Sequence, residues 1–396
     1  MPDAPHILFL ASYAPSTERP RAWNILRGLA RHFRLSLLAQ VRTEADRARL
    51  EALRDWCSCV EAVPLSRARI LANVLRYLPT PVPLRAAYFF NPAMDRAIAR
   101  RLAAERHDLV HVEHMMAAPF AAALRGLPRV WDTIDSIARL QAKILRLARS
   151  PIERLVSLEE LVKLRRYEPR LCRRFDCVLT STALDREALR APNVRLAPNG
   201  VDLQYYRPMD IAPEPDTILF YGRLSYIANA DALEHFLRAI FPLVRAQRPS
   251  ARLEIVGPSP PRRIARAATE HVTVVGRVED VRPHIARARV VVCPVRFAVG
   301  TQNKILEPMA MGVPVVATPE ATASMDVTDG RELLLADDPA AFAARVVDLL
   351  RDDALRALLA RHGLAYVQHH HDWRHIVDDL AAFYAEFIDR QGRAAE

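Results

Sequence analysis

Residues 290–319, VVVCPVRFAVGTQNKILEPMAMGVPVVATP, restrict the folds open to this chain more than any other stretch. They begin with the β-branched run Val290-Val291-Val292-Cys293, bounded by Pro294, which is the composition of a strand buried on both faces of a parallel sheet. They end with a second such run, Val313-Pro314-Val315-Val316-Ala317-Thr318. Between the two, Ile305, Leu306, Met309, Ala310 and Met311 recur at helical spacing, so the stretch reads as strand, loop, helix, strand. In an open parallel sheet ligands bind beyond the carboxyl ends of the strands, where a helix N-terminus offers unpaired N–H groups and positive dipole to an anion. Gly300, Thr301, Asn303 and Lys304 fall at that place. Gly300 permits close backbone approach, Lys304 adds a charge suited to phosphate, and Glu307, one turn further, can accept hydrogen bonds from sugar hydroxyls. The pattern suits a nucleotide sugar with its diphosphate.

A chain of 396 residues exceeds what one core usually serves, so two domains are expected. Its 51% hydrophobic and 26% charged residues are those of an ordinary globular protein and exclude a disordered one. The excess of 56 Lys and Arg over 46 Asp and Glu leaves a charge of +10, which suits an anionic ligand or surface. The basic residues are interspersed with acids and no nucleic-acid module is recognisable, so nucleic acid is not expected as a partner. The N-terminal MPDAPHILFLASYAP lacks the basic start of a signal peptide, and no run of about 18 apolar residues occurs, so a cytoplasmic protein is expected. Cys57, Cys59, Cys172, Cys177 and Cys293 are an odd set without paired CxxC spacing and read as reduced thiols.

Strands are expected at 6–10, 35–41, 60–65, 108–114, 128–132, 177–181 and 194–197, alternating with helices at 22–33, 44–56, 67–78 and 93–105. The region 137–175 reads as helical and basic. In it Ile137, Leu140, Ile144, Leu145 and Leu147 form an apolar stripe beside Arg139, Lys143, Arg146 and Arg149. The stripe reads as core-facing with a solvated basic face; peripheral contact with an anionic membrane surface is the second reading. A second series follows, with strands at 217–221, 252–256 and 272–275 and helices at 230–247, 261–270, 281–288 and 339–350. Alternation of this kind implies parallel βαβ units in doubly wound α/β sheets. The expected domains are 1–202 and 217–375, joined by a proline-bearing linker at 203–216 and followed by a C-terminal helix at 376–396 that packs back on the first domain. His371 and His375 form an i,i+4 pair, yet no metal site is expected, and DxD, P-loop and GxGxxG motifs are absent.

Pro198-Asn199-Gly200-Val201-Asp202, Phe220-Tyr221-Gly222-Arg223-Leu224, and Gly300 with Glu307-Pro308-Met309-Ala310-Met311-Gly312 and the strand after it resemble the motifs of retaining glycosyltransferases of the GT-B fold, glycosyltransferase family 4. The version from Gly300 to Glu307 is similar to a bacterial branch associated with exopolysaccharide systems. The resemblance covers nearly the whole chain and is most specific over 276–338. It implies two Rossmann-like domains facing a cleft, the first for the acceptor and the second for the donor. It further implies transfer of a sugar, with retention, from a UDP- or GDP-linked donor to a hydroxyl on a glycan, lipid-linked or small-molecule acceptor. No separate cofactor is implied, and the enzyme would work in the cytoplasm or at the inner face of the membrane.

Residue by residue, the resemblance implies that Glu307, matching the second glutamate of the family's EX7E motif, binds the donor ribose, and that Arg223 contacts the diphosphate. The backbone N–H groups of Asn303 and Lys304 fall where the family's loop meets that diphosphate. Two positions depart from the pattern. Val299 stands where the first glutamate is usual, and Ala228 lies near the place of a common lysine; Lys304 or Arg296 could supply that charge. The family often has a histidine after its fourth strand. His111 and His114 compete for that role with Glu113 between them, and Asp132 and Asp135 are candidates to orient the histidine or the acceptor hydroxyl. Other readings are a nucleotide-sugar epimerase or hydrolase on the same fold, and an inactive nucleotide-sugar-binding protein.

Overall fold

Two separate parallel sheets organise the computed structural model, which describes residues 4–122, 124–147, 150–297 and 300–395. The first has seven strands in the order β3-β2-β1-β4-β5-β6-β7, with β1 His6–Ala11, β2 Arg34–Val41, β3 Cys59–Pro64, β4 Leu109–Glu113, β5 Arg129–Ile134, β6 Cys177–Thr180 and β7 Val194–Leu196. The second has six in the order β10-β9-β8-β11-β12-β13, with β8 Thr217–Tyr221, β9 Arg252–Val256, β10 Val272–Gly276, β11 Val290–Cys293, β12 Val315–Ala317 and β13 Leu334–Leu335. Every residue of β1, β8 and β11 is buried, as the unbroken apolar runs require of strands covered on both faces. In each sheet the strand order reverses beside the first strand, between β1 and β4 in one and between β8 and β11 in the other. Chain connections leave in opposite directions there and open a crevice at the carboxyl ends.

The chain forms two compact units, Met1–Pro198 with Arg374–Glu396, and Asn199–Trp373. Residues 203–216, expected as a linker, lie in the second unit. Arg282 donates to the Tyr205 carbonyl at 3.1 Å, and the Glu214 N–H to the Arg287 carbonyl at 2.8 Å. The C-terminal helix Trp373–Ala395 contributes to the first unit, where Tyr384 is fully buried and Val377 covers Gly28 so closely that a Cβ there would lie 2.4 Å from it.

Two elements differ from the expected series. The helix expected at 230–247 is broken into Ile227–His235, a π-turn at Phe236–Ile240 and Phe241–Gln247, because Pro242 has no N–H to continue the α-helical ladder. The short strand β13 lacks a β-branched run and is not legible by composition. The helix Ile137–Leu147 buries Ile137 and Ala138 and packs Leu145 against the core, with Leu140 and Ile144 half-buried, in line with the core-facing reading; Arg149 and the side chain of Leu147 lie outside the described residues. Its N-terminus is capped from the neighbouring helix Pro151–Cys172, whose Glu168 accepts from the N–H of Ile137 at 2.6 Å and from the Ser136 hydroxyl at 2.8 Å. Glu160 of the same helix accepts from the N–H groups of Leu84 and Arg85, both at 3.0 Å.

Candidate functional site

The crevice of the second sheet gathers residues from three segments. After β8 the chain turns through Gly222, whose φ of 141° few side chains tolerate, and passes Gly257 so closely that a Cβ on Gly257 would stand 1.8 Å from the Gly222 carbonyl oxygen. Arg223 follows on the turn, exposed and without an ion pair among the described residues. After β11 comes the helix Asn303–Ala310, preceded by Gly300 with φ of 69° and by buried Thr301. The backbone N–H groups of Asn303 and Lys304 have no acceptor among the described residues, as expected of a helix's first turn, and the buried Oδ1 of Asn303 has no partner there either. The first turn therefore presents free donors and the positive end of a helix dipole.

Lys304 extends from that turn to donate to Oδ1 of Asn229, and Nδ2 of Asn229 donates to the Arg223 carbonyl at 2.9 Å. A lysine can only donate, so this chain fixes the orientation of the Asn229 amide and ties the two loops together. Burial lowers the pKa of Lys304, opposed by Cys293 and Glu307. The ammonium thus arrives beside the first turn of the helix that carries buried Ala228, from the opposite strand of the crevice. Arg296 is committed elsewhere, paired with Asp231 at 2.6 Å. Val299 lies outside the described residues.

Glu307 sits one turn along the helix. It accepts from the Tyr221 hydroxyl at 2.7 Å and also from Tyr206. Burial pushes its pKa up to about 7, against the pull of both hydroxyls and of Lys304. An ionised carboxylate offers about four acceptor positions, so two tyrosines leave room for further hydroxyls. The tyrosines were not legible as partners of Glu307: Tyr206 lies in the segment that reads as linker, and Tyr221 in a strand that reads as core.

In the first unit the candidate residues separate. His111 has no exposed surface; it stacks on Phe9 with ring centres 4.3 Å apart and hydrogen-bonds the Tyr384 hydroxyl at 2.6 Å. It is a core residue and cannot touch a substrate. His114, one residue beyond β4, is only partly covered and holds the left-handed φ of 71°, with its N–H donating to the Asp132 carbonyl at 2.8 Å. A non-glycine residue is strained in that conformation and needs the surrounding structure to hold it. Its Nδ1 is buried without a partner among the described residues, and burial lowers its pKa to about 4, so the ring is neutral near pH 7.

Neither aspartate bonds a histidine among the described residues. Asp132 is fully buried and is gripped by the Arg21 guanidinium at 2.8 and 2.9 Å, while Arg21 also donates to the Ala197 carbonyl at 2.9 Å. Asp135 accepts from the Ser181 hydroxyl at 2.7 Å, and burial with the nearby Asp185 raises its pKa to about 6. Asp132 is thus a buried structural anchor and Asp135 part of a separate polar cluster. Buried Glu113, beside them on β4, is raised to about 7 by burial and by Asp132. Tyr13, after β1, meets His114 edge-on at 6.3 Å and carries Arg19 stacked over its ring at 3.8 Å. No group of three or more metal-ligating side chains occurs among the described residues.

Comparison with known proteins identifies the family. Residues 20–205 match the profile of Glycosyltransferase Family 4 and residues 215–352 that of Glycosyl transferases group 1, together most of the chain. D-inositol 3-phosphate glycosyltransferase of Acidothermus cellulolyticus is 29% identical over 51% of this chain, and the match spans 50% of that protein. The phosphatidyl-myo-inositol mannosyltransferase of Mycolicibacterium smegmatis is 26% identical over 77% of this chain and 78% of its own length. Among solved structures, sucrose-phosphate synthase of Thermosynechococcus elongatus matches with a TM-score of 0.71 and 18% identity, covering 99% of this chain and 100% of that one. Anabaena HepE in complex with UDP and glucose gives 0.70 and 16%, covering 96% and 99%. With two doubly wound parallel sheets and both profiles matched in order, the chain belongs to the group 1 glycosyltransferases, family 4, of GT-B architecture.

Proposed function

We propose that the protein transfers a sugar from a nucleotide diphosphate donor to an acceptor hydroxyl with retention of anomeric configuration, the 199–373 unit binding the donor and the first unit the acceptor. One observation carries this reading: Arg223, Lys304, Glu307 and the free N–H groups of Asn303 and Lys304 converge at the reversal point of one sheet. The cations and N–H groups suit a diphosphate, and Glu307 suits a ribose. The relatives add support, since HepE was captured with UDP-glucose and two relatives are named for inositol-bearing acceptors, one of them a lipid.

In the proposed reaction the bond from the anomeric carbon to the leaving phosphate oxygen breaks while the acceptor oxygen bonds the same face. The acceptor proton passes to the departing phosphate. Negative charge grows on the diphosphate, and Arg223, Lys304 and the helix terminus are already arranged around it, so little reorganisation is needed. His114, neutral and with an unmet Nδ1, would position the acceptor by a hydrogen bond and would not act as a strong base.

The test is calorimetric titration with UDP, GDP, TDP and ADP and their sugar conjugates. One nucleotide should bind, and Glu307→Ala and Arg223→Ala should each weaken it by about 10- to 100-fold, the worth of a charge-assisted hydrogen bond. Unchanged affinity in both variants would sink the donor-site assignment. Turnover without acceptor would favour a hydrolase or epimerase, and binding without turnover against any acceptor an inactive binding protein.

A further inference from the structure

The helix Arg67–Tyr77 is docked the wrong way round for a surface helix. Its inward face is held by the buried polar Asn73, whose Nδ2 donates to the Phe90 carbonyl at 2.8 Å. Its outward face carries Leu71, Leu75 and, directly after the helix, Leu78, which are 61%, 66% and 53% exposed. These lie three or four residues apart and so form one stripe. Arg67, Arg69 and Arg76 flank the stripe, the helix has no acid, and none of the three arginines has an ion pair among the described residues.

The same surface continues onto the helix Pro151–Cys172. Lys163 of that helix donates to the Leu78 carbonyl at 2.9 Å, joining the two. Its first twelve residues project Ile152 and Leu155, 76% and 69% exposed, together with Val156, Leu158 and Val162. Half of the strongly exposed large apolar side chains among the described residues lie on or directly after these two helices. A groove of about 850 Å³ separates the turn at 79–82 from the longer helix; Pro79, Val82, Phe90 and Leu171 give it apolar walls. Arg166, Arg170 and Arg174 also line it, as does the ion pair of Lys163 with Glu159.

A scattered exposed leucine needs no partner, but two joined helices that together carry eight exposed large apolar side chains do. We propose that this face of the first unit seats on an anionic phospholipid bilayer. Leu71, Leu75, Ile152 and Leu155 would enter the acyl boundary, while the arginines meet lipid phosphates. The helix Arg67–Tyr77 selects this occupant, since every unpaired charge on it is positive and the chain as a whole carries +10; on the longer helix Glu159 is paired with Lys163 and Glu160 with backbone N–H groups, and Glu153 is the acid at the exposed end. The rigid seating of both helices, through Asn73, Lys163, Glu160 and Glu168, means that the apolar stripe cannot turn inward to hide. The surface differs from the apolar stripe of Ile137–Leu147, whose described part is spent on the core.

The experiment is co-sedimentation of the full chain with phosphatidylcholine vesicles, with and without phosphatidylglycerol, alongside light scattering of the free protein. Binding should be about 100-fold tighter on the anionic vesicles and should fall as salt is raised. Leu71→Glu with Leu75→Glu, and separately Arg69→Glu with Arg76→Glu, should each cut the bound fraction about tenfold or more, with thermal unfolding unchanged because all four side chains are solvent-facing. Equal binding to neutral and anionic vesicles, or no loss in either variant, overturns the proposal. So does a wild-type dimer that ignores vesicles and becomes a monomer on Leu71→Glu with Leu75→Glu, which would make the face a contact between copies. Nucleotide titration of the same variants separates this outcome from failure of the donor site, which shares none of these residues.

Discussion

Glu307 shows how neighbours set the behaviour of one side chain. Burial raises its pKa from 4.5 to about 7 although two tyrosine hydroxyls and Lys304 favour the charged form. The sign follows from that direction. Below about 4.5 the carboxyl is protonated in both folded and unfolded chains; as pH rises towards 7 the unfolded chain ionises first, and the stability that the neutral carboxyl supplied is lost. The ionised form is the better acceptor for ribose hydroxyls. Nucleotide affinity should therefore climb between about pH 6 and about pH 8, and Glu307→Gln should flatten the climb. Calorimetry of both proteins across that range checks this, because the nucleotide's own ionisation is common to the two. Lys304→Met should leave Asn229 free to turn and should weaken diphosphate binding by about tenfold or more, read by the same titration.

Among the elements, the turn after β8 is the one the site depends on. Gly222 and Gly257 pass backbone to backbone, and both have positive φ. A side chain on Gly257 would have to push the Gly222 carbonyl aside, and with it Arg223. Gly257→Ala should cost about 3 kcal/mol or more of stability and lower nucleotide affinity with it, whereas Gly312→Ala, where φ is also positive but nothing lies within 4 Å of a Cβ, should cost only about 1 kcal/mol. Denaturant unfolding of the two variants would distinguish packing from backbone strain. The helix Pro151–Cys172 is the corresponding element of the first unit, since its Glu160 and Glu168 each satisfy the N-terminus of another helix.

At the scale of the whole molecule, the chain leaves the first unit at Pro198, builds the second, and returns at Arg374. The returning helix completes a core: Tyr384 reaches His111 in the middle of β4, and Val377 covers Gly28. Tyr384→Phe should destabilise the first unit by about 1–3 kcal/mol, the cost of leaving the buried His111 nitrogen unpaired. Deletion of residues 374–396 should expose that core and make the first unit far more sensitive to protease than the second. Limited proteolysis with mass spectrometry would read this; equal sensitivity of the two units would count against the role given to the helix.

Much of this was determined by local pattern. Short unbroken Val and Ile runs bounded by Pro or Gly favour strands covered on both faces, alternating strands and amphipathic helices imply parallel units, and a glycine, a lysine and a glutamate spaced around a helix start suit an anion. These are properties of neighbouring residues, so the α/β architecture, the crevice after β11 and the position of Glu307 were legible in sequence. Tertiary structure decided what depends on residues far apart in the chain. That His111 is closed off from solvent depends on Phe9 and on Tyr384, the latter 273 residues away. Asp132 became a structural anchor because Arg21 folds onto it, Tyr206 became a partner of Glu307, and an apolar stripe with basic flanks turned inward at Ile137–Leu147 and outward at Arg67–Tyr77. Amphipathic periodicity says that a helix has two faces; only packing chooses which one meets the core.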